Sequence, residues 1–171
     1  MKMFGPNSLS YYLFYFSRIA AFGSIALISF ILLSLATDNF HMEGDQFQIA
    51  LPLLPDTYIK GFYEANIITT ITLTMLFFAI FFYLLSNILK TFKAEKLFSE
   101  KAINQLNYFA ILNLIVGPSL YIIIHFFIMK HPSFSNIYNL LLSLLLGVFV
   151  LFIRSVFKKG YHVQNENDLT I

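Results

Sequence analysis

The sequence contains no cysteine, so we expect no disulfide, no thiolate metal site, no cysteine nucleophile and no lipoprotein anchor. Charged residues are also scarce. They make up 12% of the chain, against roughly 25% in soluble domains, whereas apolar residues reach 58%. So few polar residues cannot form a water-facing surface. The composition therefore predicts an integral membrane protein, and with 171 residues we expect one domain without a separate soluble catalytic unit.

Charge is absent from four long apolar stretches, at residues 19–37, 65–89, 102–129 and 131–153. A helix that rises about 1.5 Å per residue needs roughly 20 apolar residues to cross a bilayer, so each stretch is long enough. Barrel strands would alternate polar and apolar residues, which these stretches do not. We predict an all-α, polytopic, antiparallel four-helix bundle. Its helices lie at about 11–37, 65–90, 100–129 and 135–157, with an outer loop at 38–63, an inner loop at 91–99 and a cytoplasmic tail at 158–171.

Basic residues predict the orientation of this bundle. If the N-terminus is inside, all Lys and Arg residues except Lys60 and Lys130 fall on the inner side. The positive-inside rule favours that arrangement, so we expect a bacterial cytoplasmic membrane protein with both termini in the cytoplasm. One alternative concerns "SLA" at residues 34–36, which has the form of a signal-peptidase site. The long apolar core and the preceding "YYLFYF" favour a retained first helix instead.

The connections between the helices differ in character. The outer loop carries "FQIALPLLPDTY", whose alternation followed by two prolines predicts a short extended segment on the outer end of the bundle. "KHPSFSN" predicts a tight turn between antiparallel third and fourth helices. In the inner loop, we expect Ser99 to cap the third helix and Phe98 to pack on Ile103 as a hydrophobic staple. The lysines of this loop face anionic lipid or form a docking surface for a partner.

Two inner segments carry a resemblance to a known family. "KTFKAEKLFSEKA", followed by "INQLNYFAIL", and the ending "FKKGYHVQNENDLTI" are similar to the signatures of the bacterial family catalogued as domain of unknown function 2975. In that family F-K-x-G-x-x-F-S opens the third helix, and a basic-Gly step followed by Q-x-E-x-D-L-T-[IV] closes the chain. Glu95 stands where the family often has glycine. The matching residues are Lys93, Phe98, Ser99, Lys159, Gly160, Gln164, Glu166, Asp168, Leu169, Thr170 and Ile171.

The resemblance implies a small four-helix integral membrane protein of unknown molecular function, without catalytic residues. Some members are encoded beside a small helix-turn-helix regulator. All the matching residues except Lys159 form our candidate partner surface. Within it we expect Gly160 to let the chain leave the fourth helix, and Leu169 and Ile171 to fill small pockets on the bundle or on a partner.

Polar chemistry inside the membrane is sparse. No Asp, Glu, Lys or Arg lies near the middle of a predicted span, which disfavours proton-coupled carriers and intramembrane proteases. We interpret His125 as an interfacial histidine rather than a haem ligand. Neutral polar side chains such as Asn and Thr form interhelical hydrogen bonds of about 0.6 kcal/mol. A proline in a helix frees a carbonyl that Ser or Thr can satisfy. Packing is their default role, and a hydrated cavity or hinge is the alternative. The candidates are Asn66, Thr70, Thr74, Asn113 and Pro118.

Three functional classes follow from these observations. We expect a non-enzymatic regulatory or accessory membrane protein whose inner loop and tail engage a cytoplasmic protein, such as a small helix-turn-helix regulator. The alternative is a small oligomeric transport or immunity-type protein. An enzyme is the weakest reading, because we find no nucleophile, base or metal cluster, and we expect no cofactor. The other expected partners are the lipid bilayer and further copies of the chain. Direct nucleic-acid binding is not expected, because the basic residues line the membrane face.

Overall fold

The computed structural model describes residues 2–5, 7–52, 54, 56–94, 96–132, 134 and 137–168, with side chains up to Glu166. This part of the chain is mostly helical. The first helix is Leu9–Ala36, the second Ala65–Phe92, the third Glu100–Ile128 and the fourth Ile137–Asp168. All four are long and apolar enough to cross a membrane, which confirms the prediction of a multi-pass membrane protein.

The outward surface of the helices is apolar. Phe16, Ile19, Phe127 and Tyr138 each expose between 68% and 77% of their surface. A soluble protein would bury such side chains, whereas lipid is a favourable environment for them. The exposed apolar residues occur on all four helices, so each helix has a face suited to lipid contact.

The helices pack on one another mainly in chain order. The first contacts the second, the second contacts the third and the third contacts the fourth. The main apolar core lies where the last three helices meet, around Leu106, Phe109 and Phe157. Where the first helix begins and the second helix ends, the Gly5 N–H donates to the carbonyl of Phe92 at 3.1 Å. This bond satisfies one of the carbonyls that the end of a helix leaves unpaired.

The outer loop folds as a small antiparallel sheet, which bears out the predicted extended segment and departs from the all-α class predicted for the whole chain. Its strands are β1 (His41–Glu43), β2 (Gln46–Ala50) and β3 (Tyr58–Phe62), in the order β1-β2-β3. Phe47 and Ile49 alternate with half-buried glutamines and pack with Ile31 of the first helix. Burying these side chains against the helix is what holds the sheet on the outer end of the molecule.

The third helix is irregular. It is α-helical from Glu100 to Ile111 and from Gly117 to Ile122, and π-helical from Leu112 to Val116 and from Ile123 to Ile128. In the first π segment the Gly117 N–H donates to the carbonyl of Leu112, five residues earlier. Such segments occur frequently at functional sites.

The fourth helix is longer than predicted. It continues to Asp168, so the predicted helix end at residue 157 and the predicted departure of the chain at Gly160 are wrong. Tertiary packing holds the extension in place, because the Phe98 ring lies against Gly160 and Tyr161 packs on the main core. The second helix also runs on to Phe92, which shortens the inner connection.

Candidate functional site

The inner surface, which we define as residues 94 and 96–99 together with residues 158–166, is built around Phe98. The Phe98 ring meets the Phe157 ring edge-on, with centroids 5.2 Å apart. A β-carbon on Gly160 would lie 2.7 Å from Cδ1 of Phe98, so only glycine leaves room for the ring. Ser99 accepts the Ala102 N–H at 3.2 Å, which confirms the predicted cap. Phe98 packs on the apolar cluster that includes Ile103, as expected of a staple.

Lys93 is turned towards the first helix. Its ammonium group lies 4.1 Å from the ring centroid of Phe14 and 5.2 Å from those of Tyr11 and Tyr15. A cation among aromatic faces gains electrostatic attraction from their quadrupoles. Lys93, which we assigned to the partner surface, therefore ties the end of the second helix to the first helix.

Arg18 makes a second link between these helices, which the sequence reasoning missed. Its guanidinium donates to Oδ1 of Asn87 at 3.0 Å and lies 4.5 Å from the ring centroid of Tyr83. We had used Arg18 only as a marker of orientation. The aromatic stretch "YYLFYF" just before it indicated only the contact with Phe14 of the same helix, whose ring centroid lies 5.5 Å from the guanidinium.

The remaining predicted partner residues lie on the extension of the fourth helix. Gln164 is half-buried and Glu166 is exposed. Lys158, Lys159 and His162 are exposed beside them. The helix is described as far as Asp168, and the side chain of Asp168, like all of Leu169, Thr170 and Ile171, lies outside the described residues.

A cavity of about 610 Å³ lies between the second, third and fourth helices, and we call it the outer cavity. Thr70, Thr74 and Asn113 line it, so the structure brings three of the five predicted intramembrane residues together. Asn66 lies at the start of the second helix, where its side-chain oxygen accepts the Ile67 N–H at 3.0 Å. The other lining residues described are Phe77, Phe78, Phe81, Gly117, Leu120, Tyr121, Ile124, His125, Met129, His131, Asn139, Leu140, Leu142, Ser143 and Leu146.

Pro118 acts on the wall of this cavity through the backbone. In the π-helical register the carbonyl of Asn113 would accept the N–H of residue 118, which proline lacks. Ser143 of the fourth helix donates its hydroxyl to that carbonyl at 2.8 Å. Gly117 permits this approach, because a β-carbon there would lie 2.8 Å from Oγ of Ser143. The sequence predicted that Pro118 frees a carbonyl for a Ser or Thr hydroxyl. It did not indicate that Ser143 of the fourth helix is the donor.

The outer end of the cavity is aromatic. His125 is buried, and its ring stacks on Tyr121 at a centroid distance of 5.3 Å and on His131 at 5.1 Å. Phe134 lies parallel to the same ring at 6.5 Å.

A family model described as "Protein of unknown function (DUF2975)" matches residues 7–171. The chain belongs to this family. The resemblance drawn from the inner loop and the tail is thereby confirmed. None of the curated proteins and none of the solved structures that were compared matches the chain. The description of this family names no reaction, ligand or partner. The two candidate functional regions of this DUF2975 protein are the inner surface and the outer cavity.

Proposed function

We propose that this DUF2975 protein is a non-enzymatic regulatory or accessory protein of the bacterial cytoplasmic membrane, whose inner surface binds a soluble protein such as a small helix-turn-helix regulator. The observation that carries the proposal is the length of the fourth helix. Its 32 residues span about 48 Å, roughly 18 Å more than the hydrocarbon core of a bilayer. A preformed helix that projects from the membrane loses little conformational entropy when a partner binds it.

The projecting helix is held in position by the inner loop. Phe98 packs on both Phe157 and Gly160, at the level where Lys158 and Lys159 begin the polar part of the helix. The contact joins the loop and the extension into one surface. The exposed side chains on that surface include a basic pair followed by Val163, which is 57% exposed, and by Glu166. A surface that mixes charges with one apolar side chain is suited to a protein partner.

The proposed topology is an antiparallel bundle with both termini in the cytoplasm. The N-terminal part of the first helix lies beside the C-terminal part of the second, as the bond from Arg18 to Asn87 requires of antiparallel neighbours. Lys90, Lys93, Lys96 and Lys101 then fall on the inner side, in agreement with the positive-inside rule. Anionic lipid accounts for these lysines, so direct nucleic-acid binding forms no part of the proposal.

An enzymatic role is left out of the proposal on chemical grounds. The middle of each span lacks ionisable side chains, so an acid or a base for chemistry in the membrane is missing from the sequence there. The polar groups along the helical walls of the outer cavity, among them Thr74, Asn113 and Ser143, are neutral amides and hydroxyls, and its two histidines, His125 and His131, lie at the outer end. Such groups are suited to binding and packing.

Photo-crosslinking from the extension tests this proposal. A photoreactive amino acid is placed at Asn165, which is exposed, and in a matched control at Tyr138, which is 77% exposed at the other end of the same helix. We expect the Asn165 probe to capture one defined soluble protein, and the Tyr138 probe to capture none. Deleting the last six residues should weaken the capture and impair function while the amount of protein in the membrane stays constant. Full function in the truncated protein would contradict the proposal.

The alternative is a small oligomeric transport or immunity-type protein. The outer cavity favours it, because a space of this size between helices is able to hold a solute. Crosslinks only between copies of the chain, together with solute flux in reconstituted vesicles, would support the alternative and argue against a soluble partner.

A further inference from the structure

We propose that the outer cavity binds a single-chain amphiphile with an anionic headgroup, such as a long-chain fatty acid. The chain of the ligand would lie between the second and fourth helices, with its headgroup at Lys130 and His131. This inference rests on the cavity and on the membrane-spanning helices, and it does not depend on a cytoplasmic partner.

The cavity is at least as deep as one lipid leaflet. Along the second helix its lining runs from Thr70 to Phe81, a rise of about 16 Å at 1.5 Å per residue. Half of the hydrocarbon core of a bilayer is about 15 Å. On the third helix the lining begins at Asn113 and continues for about 24 Å to Met129, which follows the last helical residue, so the cavity extends beyond this leaflet depth to the outer end of the third helix. An acyl chain aligned with the surrounding lipid therefore fits the cavity lengthwise.

The inner part of the cavity is suited to hydrocarbon. Phe77, Phe81 and Leu146 form apolar walls. Two polar side chains of the lining are already engaged, since Ser143 donates to the carbonyl of Asn113 and Nδ2 of Asn113 donates to the carbonyl of Phe109 at 2.8 Å. An acyl chain passing these groups leaves no hydrogen bond broken, whereas a strongly polar solute would find few partners here.

The cavity opens sideways towards lipid. The second and fourth helices both pack on the third helix, and contacts between their own backbones are few. Phe78 and Leu142 line the cavity from these two helices, yet they are 47% and 64% exposed. A lipid-like molecule is thus able to enter from the bilayer without crossing the protein.

The outer end supplies the polar and charged groups. Lys130 is exposed and directly precedes His131, whose ring stacks on that of His125. The hydroxyl of Thr70, near the outer start of the second helix, is buried and has no hydrogen-bond partner in the described part of the chain. A carboxylate at this level is able to pair with the lysine and would supply the acceptor that the Thr70 hydroxyl lacks. The headgroup is therefore inferred to be anionic.

Fluorescence quenching tests the inference, because the chain contains no tryptophan. A single reporter is introduced as Leu142→Trp at the cavity mouth and, in a control protein, as Ile19→Trp on the first helix, where the side chain is 71% exposed. Both proteins are purified at full length in nanodiscs of phosphatidylcholine and titrated with dibromostearic acid. We expect saturable quenching in the Leu142→Trp protein and only the linear quenching of bilayer partition in the control. Linear quenching of equal slope in both would overturn the inference.

Two further substitutions in the Leu142→Trp background separate the chain from the headgroup. Thr74→Phe fills the cavity and should raise the concentration of dibromostearic acid at half-saturation about tenfold. Thr69→Phe, on an exposed face of the same helix, should leave that concentration unchanged. Lys130→Asn removes the charge and tolerates the backbone φ of 52° at this position. This substitution should raise the concentration of oleic acid needed to displace dibromostearic acid about threefold to tenfold, and it should leave displacement by oleyl alcohol unchanged. If oleic acid and oleyl alcohol compete equally well in the protein that keeps Lys130, the inference of an anionic headgroup is overturned.

Discussion

The ring of Phe98 lies so close to Gly160 that a β-carbon at residue 160 would be 2.7 Å from the ring. One of these residues comes from the inner loop and the other from the fourth helix. Both match the family signature that led us to the inner surface. Their contact changes the interpretation of the glycine: it permits packing inside a continuous helix and does not end that helix.

The first prediction concerns this contact. Gly160→Ala should lower the free energy of unfolding, because overpacking costs about 1–3 kcal/mol and exceeds the gain in helix propensity of about 1 kcal/mol. Thermal unfolding in detergent measures the change. Gly23→Ala is the control, since a β-carbon there meets nothing within 4 Å. In a Phe98→Ala background, Gly160→Ala should no longer destabilise the protein; an unchanged penalty would contradict the proposed contact.

The second prediction concerns the bond from Ser143 to the carbonyl of Asn113. Ser143→Ala should destabilise the protein by about 0.6 kcal/mol, the average for interhelical bonds in membranes. Pro118→Ala restores an N–H that is able to satisfy the same carbonyl, so the cost of Ser143→Ala should fall in that background. A double-mutant cycle on thermal unfolding measures the coupling. Additive effects would show that Pro118 does not free the carbonyl that Ser143 satisfies.

A Pro118→Ala protein with unaltered partner response and transport would argue against a hinge.

The third prediction concerns Arg18. Arg18→Lys keeps the positive charge but loses the planar group that bonds Asn87 and stacks on Tyr83. We expect destabilisation by about 0.5–2 kcal/mol, with the inner ends of the first two helices separating more readily. Thermal unfolding and crosslinking between these ends provide the measurements. Lys158→Arg, which also keeps charge at an exposed site, is the control, and equal stability of the two variants would remove the assigned role.

The fourth prediction concerns topology. Because the chain has no cysteine, single cysteines report their own location. Asp45→Cys, between β1 and β2, should react with a membrane-impermeant maleimide in intact cells. Asn165→Cys should react only after the membrane is permeabilised. Labelling of Asn165→Cys in intact cells would place the C-terminal end outside and would defeat the proposed cytoplasmic partner.

The fifth prediction concerns the outer sheet. Phe47→Ala should cost about 3–5 kcal/mol, because Phe47 is buried against the first helix and faces Gly61 of β3. We expect faster proteolysis of the outer loop in vesicles that expose it. Tyr58→Ala is the matched control, since Tyr58 is 43% exposed on the edge strand β3. Equal proteolysis of the two variants would mean that the sheet is not held by Phe47.

The four spans were predictable from the sequence because each depends on a local property, a run of about 20 apolar residues without charge. The Ser99 cap was predictable for the same reason, since its donor lies three residues away. The small sheet was only partly predicted. The alternation around Phe47 indicated an extended segment, but the pairing of β2 with β3 is decided by contacts with Ile31 and Gly61.

The candidate sites show the same division. The sequence by itself determined that this is a membrane protein whose basic residues cluster in a few segments between the apolar stretches, and its inner loop and tail led to the family. Only the tertiary structure decided that Gly160 lies under Phe98, that Lys93 is held by Phe14, and that Ser143 satisfies a carbonyl thirty residues away in the chain. The physical reason is that the length of an apolar stretch and the charges beside it act through lipid and water and depend on one segment of the sequence. Packing and hydrogen bonding between helices depend on which surfaces meet.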